Sequence, residues 1–148
     1  MSPQAQLETF LDRYEPAIAA LGRGLIDRIA TLAPGASINV YDNYNYLAVG
    51  FGATDTASDT IVSVALYPRW VRLFFMRGAE LDDPEGLLEG KGPLIRSLVT
   101  RTSEQLDQPA VRALFDQAMA TARSPIDPTA PTRHVIKAVS EKRRPRRP

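Results

Sequence analysis

The run Gly90-Lys91-Gly92, with Arg96 close behind it, has the residue types that hold an anion. Glycines let successive backbone N–H groups converge on one point. Lys91 adds a point charge, and Arg96 adds a planar fork suited to a phosphate or carboxylate. The spacing predicts a small-anion site at Gly90, Lys91, Gly92 and Arg96. The same residues also suit a plainer role, a tight turn between a short helix and a strand with two surface cations. The run is not a Walker loop, because no Ser or Thr follows the lysine. Nor is it a dinucleotide fingerprint, because it precedes a predicted strand where that motif follows one.

Just before it lie Glu80, Asp82, Asp83, Glu85 and Glu89. Carboxylates are the ligands of hard cations such as Fe²⁺ or Mg²⁺, so Asp82, Asp83, Glu85 and Glu89 are the one candidate metal site the composition leaves open, an exposed one that would hold its ion weakly. The competing reading is acidic charge gathered at the start of a short helix, where the helix dipole favours it. The spacing lacks the alternating oxygen ligands of a calcium loop. Tyr41, Tyr44, Tyr46, Tyr67 and Trp70 could stack a planar ligand or a base from a sheet face, or simply pack there. No basic residue interleaves with Tyr41–Tyr46, which argues against nucleic acid on that face. The cluster Lys142-Arg143-Arg144-Pro145-Arg146-Arg147 is suited to neutralising phosphates without reading sequence, and equally to being a solvated end. His134 stands apart from any residue that would make it a base or a nucleophile's partner. No nucleophile, base and orienting group assemble from these motifs, so no catalytic residue is assigned and the reading leans away from an enzyme.

The composition narrows the chemistry further. The chain has 148 residues, 44% hydrophobic and 24% charged, with one histidine and no cysteine. Disulfides, thiolate metal sites, iron–sulfur ligation and thiol nucleophiles are thereby excluded. The formal net charge is +1, but its distribution is uneven. Arg133, Lys137, Lys142, Arg143, Arg144, Arg146 and Arg147 lie after Ser124 against only Asp127 and Glu141, which leaves a mildly acidic body before a basic tail. No apolar run approaches the ~20 residues of a membrane span. Met1-Ser2-Pro3-Gln4 is not a basic segment leading into an apolar core, so a secretory leader is not expected and a cytoplasmic location is.

The elements that must position these residues follow from periodicity. Leu7, Phe10, Leu11 and Tyr14 share one helical face, with Ser2-Pro3 as cap and first turn. Pro16 breaks that pattern, and a second helix carries Ile18, Leu21, Leu25, Ile29 and Leu32 to Ala33-Pro34-Gly35. The period then changes to two. Strands are expected at Ser37–Tyr41, Tyr44–Phe51, Thr60–Tyr67, Trp70–Arg77 and Leu94–Arg101, the short connections favouring an antiparallel meander. Asp83-Pro84 is expected to open a short helix through Leu88, and Pro109 the final helix. The sum is one α+β domain over residues 1–124, with an antiparallel sheet of about five strands and helices on one face. Residues 125–148, punctuated by proline, are expected to be disordered. An exposed sheet edge leaves a homodimer open.

The stretch Gly78-Ala79-Glu80-Leu81-Asp82-Asp83-Pro84-Glu85-Gly86-Leu87-Leu88-Glu89-Gly90-Lys91-Gly92 resembles the YdhG-like domain family of bacteria. The resemblance extends to Arg96 and to Leu106-Asp107-Gln108-Pro109-Ala110-Val111-Arg112-Ala113-Leu114, and spans roughly Leu7 to Ala122. It implies a small α+β domain of frataxin-like character. Most members have no assigned activity, and one branch is described as an intracellular iron chaperone for cluster or haem assembly. Many relatives carry a lysine directly after the second glycine, where this chain has Pro93. Three functions are therefore expected, in order: a non-enzymatic domain binding a small anionic ligand, an iron-handling accessory protein, and a weak nucleic-acid-associated module acting through its tail. No resident cofactor is expected beyond weakly held iron.

Overall fold

The computed structural model describes all 148 residues. Two helices open the chain, α1 (Pro3–Leu11) and α2 (Pro16–Leu32). Each starts on proline, whose missing N–H is not needed in a first turn. Ser2 Oγ accepts from the Ala5 amide at 3.1 Å and caps α1. Five antiparallel strands follow as a meander: β1 (Ser37–Asp42), β2 (Leu47–Gly52), β3 (Thr60–Leu66), β4 (Val71–Phe75) and β5 (Arg96–Thr100). A helix α3 (Pro109–Ala120) then leads back across the domain to a sixth strand, β6 (Arg133–Val139). The sheet order is β5-β4-β3-β2-β1-β6, with β6 parallel to β1. No helix is long and apolar enough to cross a membrane.

This is the α+β architecture expected, with two corrections. Asp83-Pro84 opens no helix: Asp83 accepts the Leu87 and Leu88 amides, both at 2.9 Å, and holds an irregular turn. The region after Ser124 is not a loose tail. Ordering entropy was expected to exceed what its few apolar residues bury. Instead β1 offers Arg133–Val139 a full ladder of backbone partners along its free edge. A parallel pairing requires a long connection, which the stretch from β5 through α3 supplies. The domain therefore runs past residue 124.

One face of the sheet makes the core. Val40, Leu47, Val49, Phe51, Val64, Leu66, Leu73 and Phe75 are fully buried there, packed in one cluster with Leu25 and Ile29 of α2 and Phe115 of α3. The alternate positions, among them Tyr41, Ala48, Ser63 and Phe74, face the other way and stay partly exposed. All three helices bury their apolar sides in the same cluster, so this second face carries no helix.

Two buried polar groups tie the distant parts together. Tyr14 donates its hydroxyl to Leu66 O at 2.9 Å and accepts from the Leu47 amide at 3.1 Å. Burial pushes the phenol up to about 12, although the nearby Arg146 pulls the other way. Asp42, 1% exposed, receives three arginines: Arg146 at 2.9 Å, Arg143 at 2.8 Å and Arg13 at 3.1 Å. Arg146 also donates to the Asn43 and Tyr44 carbonyls and lies over the Tyr14 ring. The basic cluster thus folds onto the domain through its own charge.

Candidate functional site

The conspicuous stretch between β4 and β5 is a fixed element. The Ala79 amide donates to Leu94 O at 2.9 Å, and Glu89 and Ser97 exchange backbone hydrogen bonds at 2.8 and 2.9 Å. Gln117 of α3 clasps Asp82 through both of its amide atoms, accepting from the Asp82 N–H at 2.7 Å and donating to its carbonyl. Gly78 is required by packing, since a Cβ there would lie 2.4 Å from Arg96 Cβ. Gly90 is required by conformation as well, with φ +148° and Ile95 O at 2.9 Å from a built Cβ.

Arg96 holds this element from the inside. One guanidinium nitrogen donates to Gly92 O at 2.7 Å and to Ile95 O at 2.8 Å. Lys91 is exposed on the outer side, and Gly92 has open space around it. The four residues expected to converge on an anion thus lie together, but Arg96 faces carbonyl oxygens, which repel an anion.

Gly92 does line a cavity of about 700 Å³, within the range of small-ligand sites. It lies between the start of β3, the end of β4, the Gly92–Ile95 segment and the last turn of α3. Ile61, Phe75, Leu81, Leu94 and Ala118 make its walls apolar. Two guanidinium groups, Arg77 and Arg123, enter the lining against one carboxylate, Asp59. Arg77 pairs with Glu80, and Asp59 accepts from Thr54 Oγ1 at 2.6 Å. Arg123 is exposed and makes no ion pair. The end of α3 contributes a negative pole, so the positive charge comes from these two side chains alone. Neither arginine stood out in the sequence. The only signal was position: each lies two or three residues past the end of an apolar element, where a long side chain reaches solvent.

The carboxylates Asp82, Asp83, Glu85 and Glu89 are not gathered. Asp83 uses both oxygens on backbone amides, Glu89 faces Arg72 at 3.8 Å, and no group of three potential ligands comes together anywhere in the chain. Of the aromatics, Tyr46, Tyr67 and Trp70 form one cluster, with ring centroids 5.5 and 5.8 Å apart, and burial raises the Tyr67 phenol. Tyr44 instead carries the Arg144 guanidinium over its ring. His134 sits on β6 opposite Ile38, and partial burial lowers its pKa. In the basic cluster, Arg143 and Arg146 are engaged by Asp42, while Arg147 reaches the Arg13 and Asp12 carbonyls.

Comparisons with family models, with curated proteins and with solved structures found no match to this chain.

Proposed function

We propose that the chain is a non-enzymatic, cytoplasmic binding domain of the YdhG-like type that takes a small organic anion in the cavity beside Gly92. The observation that carries this reading is the cavity itself: apolar walls, a volume suited to a small molecule, and Arg123 projecting at its rim without an acidic partner. An apolar body would displace water from Leu81, Leu94 and Ile95, and the anionic group would answer Arg123 and Arg77. The rigid Gly78–Gly92 element supports the reading by fixing one wall in advance, which lowers the ordering cost of binding. The expected Gly90–Arg96 group keeps a part as that wall, with Arg96 positioning Gly92 and Ile95.

Calorimetry with hexanoate and benzoate tests the proposal. Saturable binding is expected, weakened about tenfold or more by Arg123→Met, since a hydrogen bond to a charged group contributes about 1.5–3 kcal/mol. Ala122→Trp, which fills the cavity from α3's end, abolishes it. Absence of heat and of any thermal shift with either acid refutes the reading.

A further inference from the structure

The cavity does not stop at the sheet's end. Ala57, Thr60, Met76 and Ile95 line it and also line a second hollow of about 290 Å³ on the helix-free face of the sheet. The two chambers adjoin at these four residues. The second chamber has a floor of small residues, Ala48, Gly50, Ser63 and Ala65, between Tyr41 and Tyr46 on one side and Phe74 and Met76 on the other. Its floor reaches from β4 to β1, three interstrand spacings or about 14 Å. Gly50 keeps the floor low: a Cβ there would lie 3.0 Å from Thr60 Cγ2. Ile95, at the junction, is a large apolar side chain left 44% exposed.

We infer that the ligand's apolar body is a medium-length unbranched acyl chain, its carboxylate at Arg77 and Arg123 and its methyl end on the open sheet face over Ala48 and Ala65. This rests on the reading of the first chamber given above and specifies what fills the second. Charge favours this direction: the first chamber carries both arginines, and no charged residue lines the second. An extended peptide is disfavoured, because β1 to β4 are interior strands whose backbone groups are paired on both sides, leaving none for a guest strand.

The test is calorimetry on the full chain with hexanoate, octanoate, decanoate and dodecanoate, each below its micelle concentration, together with amide shifts of the wild-type protein. Affinity is expected to rise about fourfold per added methylene, the value for full burial of each CH₂. The Ala48 and Ser63 amides shift with dodecanoate and not with hexanoate. Ala48→Trp leaves hexanoate binding intact and removes the gain beyond octanoate. If hexanoate binds but affinity is flat with length, the acid stays in the first chamber: the inference falls and the proposed function stands. A length-dependent gain without amide shifts at Ala48 and Ser63 places the chain elsewhere and also overturns it. If no acid binds, both fall together.

Discussion

Replacing Asp42 by Asn tests what holds the basic segment to the domain. The substitution keeps the shape and removes the charge. Arg146 is 3% exposed and Asp42 1%, so this pair is fully desolvated, and removing one partner leaves a buried charge without compensation. Such breaks cost about 3–5 kcal/mol. Arg143 and Arg13 are 23% and 36% exposed and add at most about 1 kcal/mol each after solvent screening. The expected loss is therefore about 4 kcal/mol, a large share of the 5–15 kcal/mol typical of a domain. At roughly 2–4 °C per kcal/mol for a chain of this size, Tm falls by about 8–16 °C. Urea unfolding gives the free energy, and hydrogen exchange gives the location. The Ser140 and Arg144 amides, bonded to Asp42 O and Tyr44 O at 2.8 Å each, should lose protection before the β2–β3 ladder does. The double variant Asp42→Asn with Arg146→Met should recover part of the loss, because it removes the orphaned charge as well. A loss below about 1 kcal/mol, or strictly additive single and double variants, refutes the claim that this ion cluster anchors the segment.

Two further predictions concern groups whose roles the fold makes specific. Tyr14 titrates in the unfolded chain near 10 and in the fold at about 12, so the unfolded state releases its proton first. Stability is fully present below pH 10 and declines between pH 10 and about 12, by about 2–3 kcal/mol in all; alkaline urea titrations should lose this decline in Tyr14→Phe. Gly90→Ala should cost about 1–3 kcal/mol, because φ +148° and Ile95 O both oppose a Cβ. Gly92→Ala should cost under about 0.5 kcal/mol, since nothing lies within 4 Å of its Cβ position; equal costs in thermal unfolding would contradict this assignment of the two glycines.

The five antiparallel strands, both breaks at proline and the covering helices were legible because each rests on local periodicity. Val62, Val64 and Leu66 alternate with Ile61, Ser63 and Ala65, and short turns leave antiparallel pairing as the natural choice. β6 was not legible. His134 to Val139 has too few large apolar residues to signal a strand by itself, and its order comes from Asp42, Tyr44 and the free edge of β1, all about ninety residues or more away. The same applies to the site. Glycines, a lysine and an arginine near Gly92 were visible because they are contiguous. Arg77, Arg123 and the floor of the second chamber come from four strands and a helix end, and only the register between strands places them side by side.

That contrast explains why the most chemical-looking residues serve as scaffold. A loop of fifteen residues, Gly78–Gly92, with five charged carboxylates and four glycines cannot hold one shape by apolar burial alone. Polar groups in and beside it are used internally: Asp83 satisfies two amides, Arg96 satisfies two carbonyls, and Gln117 fastens the Asp82 backbone to α3. A side chain so engaged is a poor ligand for anything from outside, because binding would first have to break the bonds that shape the site. Arg123 is under no such demand. On the reading proposed above, the β4–β5 loop is rigid while recognition falls chiefly to the less conspicuous Arg123, with Arg77 already paired to Glu80 beside it.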